Sequence, residues 1–125
     1  MHDPRSLALA AARIAHEHKA ESIRVLDLGE GFVSDCFVIA TILNRPHARA
    51  VAEALLQHAK TEGIKPLGME GLEEGTWVLI DFGTVVVHLF ETQYRSFYDL
   101  EGLWGDAKKV PFRPPAKRRA SRARA

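Results

Sequence analysis

Two β-branched and aromatic runs joined by a tight turn constrain the fold of this chain most strongly. The first run is Trp77-Val-Leu-Ile-Asp-Phe and the second is Val85-Val-Val-His-Leu-Phe, and only Gly83 and Thr84 separate them. Residues of this kind favour strands, and a short connection that contains glycine is typical of a hairpin. The sequence therefore predicts a β-hairpin over residues 77–90, and any fold must build a sheet around it.

The segments before the hairpin alternate between helical and extended patterns. Asp3 and Pro4 are typical of a helix N-terminus, and apolar residues then recur at helical spacing. The segment 35–42 is almost continuously apolar, as in a strand that is covered on both faces. The elements predicted before the hairpin are a helix over 4–19, strands over 22–28 and 35–42, a helix between Asn44 and Gly63, and a short edge strand within 64–69.

The segment after the hairpin reads as a short helix. Thr92 opens it, Gly105 closes it, and four residues share one face: Phe97, Leu100, Glu101 and Trp104. The complete order is then α-β-β-α-β-β-β-α. This order predicts an α/β fold with a mixed β-sheet of about five strands flanked by helices.

The composition is that of one soluble domain. The chain has 125 residues, of which 46% are hydrophobic and 26% are charged. Its apolar stretches are shorter than the roughly 20 residues that span a bilayer, and its N-terminus lacks the features of a signal peptide. We expect a cytoplasmic protein with no membrane segment. Its single cysteine, Cys36, is expected to be a buried apolar residue.

The charges divide the chain into two parts. Six of the 17 lysine and arginine residues lie in 113–125, which has no acidic residue and so carries +6. The preceding part holds the other eleven against all 16 acidic residues, a net charge of −5. We expect an α/β domain over 1–112 and a disordered basic tail over 113–125. Such a tail either contacts phosphates or serves only to increase solubility.

Three motifs associated with catalysis or metal binding have simpler structural explanations. The Asp-Phe-Gly tripeptide at 81–83 matches a kinase motif, but no His-Arg-Asp loop or glycine-rich phosphate loop accompanies it. His16 and His18 lie two positions apart on a predicted helix and therefore point in different directions. His88 and Asp81 lack an accompanying nucleophile, so a half-buried structural histidine is the simpler interpretation.

The segment 31–35, Gly-Phe-Val-Ser-Asp, resembles the turn and first acidic residue of nucleotidyltransferases. Two-metal phosphoryl transfer needs at least two converging carboxylates, but the residue two positions after Asp35 is Phe37. We therefore expect no enzymatic activity, no metal and no cofactor. The alternative is a degenerate nucleotidyltransferase-fold protein that retains nucleotide or metal binding.

Aromatic and polar residues that no catalytic motif explains are concentrated in the last third of the domain. They are Trp77, Phe82, His88, Tyr94, Phe97, Tyr98 and Trp104. Tryptophan and tyrosine are enriched at protein interfaces because they combine a large apolar area with one polar group. This pattern favours a binding surface, with a purely structural role in the core as the alternative.

Five sequence blocks together resemble the ribosomal silencing factor RsfS family, also called the Iojap family. The blocks occupy 34–40, 68–71, 77–83, 85–90 and 97–106, in order and at matching spacing. The resemblance covers about residues 4–107. It implies a mixed sheet flanked by helices, related to the nucleotidyltransferase fold, and a protein without enzymatic activity. It also implies binding to the large ribosomal subunit through protein uL-fourteen, which obstructs joining of the small subunit and lowers translation.

The resemblance also implies where such a protein makes contact with its partner. The matched candidate contact residues are Glu70, Trp77, Asp81, Phe82, Thr84, His88 and Tyr98. Acidic residues among them would pair with basic residues of a ribosomal protein. An alternative is that Trp77 packs behind the surface. A role in large-subunit biogenesis, a homodimer in the free state, and contact of the basic tail with ribosomal RNA are further expectations.

Overall fold

A computed structural model of the chain describes residues 3–29, 34–95 and 108–112. Three helices and six strands occur in these residues. In chain order they are α1 (Pro4–Glu17), β1 (Glu21–Asp27), β2 (Cys36–Ile42), α2 (Arg45–Thr61), β3 (Gly68–Glu70), β4 (Trp77–Asp81), β5 (Val85–Glu91), α3 (Thr92–Arg95) and β6 (Lys108–Val110).

Side-chain caps and backbone turns determine where the two long helices begin and end. The Asp3 carboxylate accepts a hydrogen bond from the Ser6 backbone N–H at the start of α1. The Asn44 amide oxygen accepts one from the His47 backbone N–H at the start of α2, at 2.9 Å. Each cap satisfies an N–H group that the first helical turn leaves free. Gly63 stops α2 with a φ of 74°, in the left-handed region that favours glycine.

The strands form one mixed sheet in the order β3-β4-β5-β2-β1-β6. The central pair β2 and β5 is parallel, and every other neighbouring pair is antiparallel. Both central strands are buried over most of their length. This burial explains their nearly continuous apolar sequence.

Helices α1 and α2 pack against the same face of the sheet. Val38, Val87 and Leu89 point into this core and are completely buried, together with Ala12 of α1 and Val51 of α2. A second, smaller cluster lies on the opposite face and contains Leu26, Leu28, Ile39 and Phe90. The sheet thus separates a helix-covered core from a second apolar face.

The main predicted elements are confirmed, with differences at the sheet edges. The hairpin, both long helices and the helix start at Thr92 are present. The sequence predicts about five strands, but the sheet has six, because β6 adds a strand on the far side of β1. That strand has three residues, two of them exposed lysines, so no apolar alternation marks it. The predicted face formed by Phe97, Leu100, Glu101 and Trp104 lies outside the described residues.

The short edge strand also differs from its prediction. It occupies Gly68–Glu70 rather than 64–69, and it pairs with β4 from Gly68 opposite Asp81 to Glu70 opposite Leu79. All three of its residues are exposed, so their sequence has no buried face that could mark the strand. Its position follows from backbone pairing with β4 and not from its own pattern.

Candidate protein-binding face

The sheet face opposite α1 and α2 carries several of the residues that the sequence singles out. Residues directly opposite each other on neighbouring strands share a face, so the register defines this surface. We call it the aromatic face. Its residues on three neighbouring strands are Trp77, Leu79 and Asp81 on β4, Val86, His88 and Phe90 on β5, and Phe37, Ile39 and Thr41 on β2.

Exposure changes across the aromatic face. Ile39 and Phe90, near the sheet centre, are completely buried. Trp77, Leu79 and Asp81 on β4 are only partly buried. The β4 side is therefore the most accessible part of the described face, and on β2 only Phe37 is also partly buried.

Trp77 lies against two other rings at the start of β4. Its indole lies 5.1 Å from the Phe90 ring and 6.1 Å from the His88 ring, measured between centroids. The indole Nε1–H donates a hydrogen bond of 3.2 Å to Nδ1 of His88. The Phe37 ring packs edge-on against the other side of His88 at 4.5 Å. Trp77 thus belongs to an aromatic stack and is at the same time partly accessible.

His88 is a buried, neutral side chain in this stack. Only 4% of the residue is exposed, and this burial lowers its pKa from 6.5 to about 4. Because an indole N–H can only donate, Nδ1 of His88 is the acceptor and the ring proton resides on Nε2. Nε2 is itself buried and has no hydrogen-bond partner in the part of the chain that the structure describes. The imidazole is therefore not available as a surface contact or a general base in this arrangement.

Acidic residues border the accessible part of the aromatic face. Asp81 lies on the face itself, and its Oδ1 accepts a hydrogen bond of 2.8 Å from the Gly83 backbone N–H, which fixes the hairpin turn. Glu70 lies opposite Leu79 on the edge strand and is exposed. Glu73 and Glu74 are exposed in the adjoining turn. The β3–β4 side of the face therefore combines partly exposed apolar groups with negative charge.

Not all of the predicted contact residues lie on this surface. Phe82 is only 8% exposed and belongs to the core on the helix side of the sheet. Thr84 is exposed at the tip of the hairpin, where its backbone oxygen accepts hydrogen bonds from the N–H groups of Asp35 and Cys36. Tyr98 lies outside the described residues. The structure brings together Glu70, Trp77, Asp81 and His88.

Leu79 belongs to the same surface although no motif in the sequence marks it as a contact residue. It is partly buried, between Glu70 on one side and His88 on the other. The signal for it was present in the alternation of β4, since Trp77, Leu79 and Asp81 occupy every second position. Leucine is common in protein cores, so it indicates an interface less clearly than tryptophan or tyrosine does.

Of the segment 31–35 considered for nucleotide or metal chemistry, Gly31, Phe32 and Val33 lie outside the described residues, so only Ser34 and Asp35 have a described position. Among residues 3–29, 34–95 and 108–112, no group of three histidine, cysteine or acidic side chains could hold a metal ion. Asp35 is exposed and immediately precedes β2, whereas the Asp81 carboxylate accepts a hydrogen bond from the Gly83 backbone N–H in the hairpin turn. Cys36 is buried, and desolvation raises the pKa of its thiol to about 11, which disfavours the reactive thiolate. No helix of the described residues is long and apolar enough to cross a membrane.

Comparison with known proteins identifies the class of protein to which this mixed α/β fold belongs, the ribosomal silencing factors. The family model described as "Ribosomal silencing factor during starvation" matches residues 1–125. The Bacillus subtilis protein named ribosomal silencing factor RsfS is 40% identical over 104 residues, which cover 82% of this chain and 88% of that protein. The Arabidopsis thaliana protein named Iojap, chloroplastic, is 34% identical over 111 residues, or 86% of this chain and 46% of that protein.

Solved structures agree with the sequence comparison. A crystal structure of a Chromobacterium violaceum protein has a TM-score of 0.79 at 30% identity and covers 92% of this chain and 96% of its own. A crystal structure from Bacillus halodurans has a TM-score of 0.72 at 34% identity, covering 86% and 96%. The chain belongs to the RsfS/Iojap family of ribosomal silencing factors, which confirms the resemblance found in its sequence.

Proposed function

We propose that this chain is a ribosomal silencing factor that binds the large ribosomal subunit through protein uL-fourteen and sterically blocks the small subunit. The observation that carries this proposal is the family match over residues 1–125. A folded chain of this length has a radius of gyration of about 14 Å. A body of that size on the subunit interface prevents close approach of the two subunits, so translation falls without any catalytic step.

The accessible side of the aromatic face is the contact surface in this proposal. Partly exposed Trp77 and Leu79 supply the apolar anchor, and Glu70 and Asp81 supply negative charge at its border. Proteins that bind ribosomal RNA are commonly rich in lysine and arginine, so an acidic border favours one of them as the partner. Tyr98 remains a candidate contact from the sequence, and His88 contributes from below the surface.

Several further properties belong to the same proposal. The free protein forms a homodimer, which would remove partly exposed apolar groups from water. The basic tail 113–125 contacts ribosomal RNA near the docking site by releasing counterions from phosphates. The factor acts in the cytoplasm, lacks enzymatic activity and also assists large-subunit biogenesis.

Sucrose-gradient sedimentation of purified subunits at subunit-joining magnesium tests the proposal. We expect this protein to migrate with the large subunit and to reduce the amount of joined particles. Unchanged joining, with no protein in the large-subunit peak, would reject silencing and favour the nucleotide-binding or metal-binding alternative.

A pair of charge reversals tests the contact surface. Glu70→Lys changes an exposed residue beside the aromatic face, whereas Glu53→Lys changes an exposed residue of α2 on the other side of the sheet. We expect Glu70→Lys to weaken large-subunit binding several-fold at low salt, and Glu53→Lys to leave it unchanged. Trp77→Ala removes the apolar anchor and should weaken binding by at least about 30-fold. Equal binding by both charge variants would place the contact surface elsewhere.

A further inference from the structure

The steric mechanism just described does not specify how the buried His88 contributes from below the aromatic face. His88 lies in the centre of a row that runs across the sheet through Leu79 and Ile39. Both neighbours are apolar, and an apolar residue at position 88 would fit this environment without burying a polar ring. Among the described residues, Trp77 provides the one hydrogen bond of the imidazole.

We propose that His88 is a positioning residue that fixes the orientation of the Trp77 indole for docking to the partner. This inference rests on the proposed function. Nδ1 of His88 lies 3.2 Å from the indole Nε1 and defines one direction for the N–H bond. The Phe37 ring packs against His88 and keeps the imidazole from turning away.

The hydrogen bond also determines what Trp77 offers to a partner. Nε1–H is the only polar group of an indole, and here it is directed toward His88 within the sheet. Because this N–H group is engaged by His88, the ring offers a partner its carbon surface rather than a donor. Such a surface is complementary to aliphatic side chains or to a guanidinium stacked on the ring, and it needs no hydrogen-bond acceptor in the partner.

Fixing the ring before docking favours binding because less side-chain freedom is lost when the partner arrives. Without the acceptor at position 88, the indole N–H loses this hydrogen bond, and His88 no longer holds the ring in one orientation. The group that a partner meets then changes. Loss of the acceptor should therefore weaken binding even though His88 itself is almost completely buried.

The test compares two substitutions of similar placement but different hydrogen-bonding capacity. In His88→Asn the side-chain oxygen lies near the position of Nδ1 and accepts the indole proton, whereas His88→Leu fills the space and accepts nothing. The first readout is hydrogen exchange of the Trp77 indole N–H by NMR, with its resonance identified through a Trp104→Phe variant. The second is affinity for purified large subunits. We expect His88→Leu to accelerate indole exchange and to weaken binding by about tenfold, and His88→Asn to restore both.

Failure of the proposed function and failure of the positioning role give different results. If wild type does not bind large subunits, the proposed function itself fails. If wild type binds and His88→Leu binds equally well, only the positioning role fails. If His88→Leu does not fold, NMR of the wild-type protein tests the hydrogen bond directly. A scalar coupling between indole ¹⁵Nε1 and ¹⁵Nδ1 of His88 supports the bond, whereas an imidazole protonated at Nδ1 contradicts it.

Discussion

Lowering the pH from 8 to 5 should destabilise the folded protein by about 2 kcal/mol through His88 alone. Burial lowers the pKa of this residue from 6.5 to about 4. Between these values the unfolded chain binds a proton that the folded chain does not, so the free energy of unfolding decreases as the pH falls. A difference of about 2.5 pKa units corresponds to about 3 kcal/mol below pH 4, and about 2 kcal/mol of it is already lost at pH 5.

The described surroundings of His88 provide no charge that would offset this effect. The row across the sheet places Leu79 and Ile39 beside the imidazole, and charged residues occur only at its ends, Glu70 on β3 and Arg24 on β1. Burial is the cause of the lowered pKa. The stability conferred by a neutral imidazole is therefore complete above pH 6.5 and is lost as the pH falls through 4.

Urea unfolding followed by far-ultraviolet circular dichroism at pH 5, 6, 7 and 8 measures this effect. His88→Asn is the control, because asparagine does not titrate and the other five histidines are common to both proteins. The expected result is that wild type loses about 2 kcal/mol more than the control between pH 8 and pH 5. Parallel pH profiles for the two proteins would refute a buried, neutral His88.

Three other predictions concern a turn, a helix cap and the tail. Gly71→Ala should destabilise the fold by about 2 kcal/mol or more in urea unfolding, because Gly71 has a φ of 86° and an added Cβ would collide with the β4 backbone. Gly68→Ala, where nothing lies within 4 Å of the added Cβ, is its matched control and should have little effect. Asn44→Ala should cost about 1 kcal/mol in the same assay, since it removes the acceptor for the His47 backbone N–H, while Asn44→Asp should retain most of that stability. Deleting 113–125 should flatten the salt dependence of large-subunit binding, and an unchanged slope would exclude phosphate contacts by the tail.

Local signals explain why most of the architecture was predictable. The helix starting after Asn44 has its cap, its apolar stripe and its terminal Gly63 within one continuous segment. The hairpin likewise contains both strands and their turn within 15 residues, Trp77–Asp81 through Val85–Glu91. By contrast, β6 exists because Asp27 pairs with Lys108, far apart in the sequence. The three residues of β6 are mostly exposed, so their own sequence does not predict that they pair with β1.

The candidate site was only partly predictable for a related reason. Trp77 and Phe82 are both aromatic residues of one strand segment, and the sequence treats them alike. Successive side chains of an extended segment point to opposite faces of a sheet, and these two residues are five positions apart, so they lie on opposite faces. The sequence does not say which of the two faces α1 and α2 cover. Once the helices pack against Val78 and Ile80, Phe82 belongs to the core and Trp77 to the aromatic face.

His88 lowers stability at acidic pH, and in the positioning proposal it strengthens docking. These opposing effects lead to a prediction that distinguishes packing from docking by Trp77. If Trp77 serves only as packing, a leucine at position 88 should cost the protein nothing in binding. If His88 orients the indole, His88→Leu should bind large subunits more weakly and yet be about 1 kcal/mol more stable than wild type at pH 5. That gain follows because the variant escapes the loss of about 2 kcal/mol from protonation and gives up a hydrogen bond worth about 1 kcal/mol. Urea unfolding at pH 5 and subunit binding at pH 7.5 measure the two quantities on the same preparation. A variant that gains stability and keeps wild-type affinity would remove the positioning role of His88, and Trp77→Ala would then show whether Trp77 is still the docking anchor.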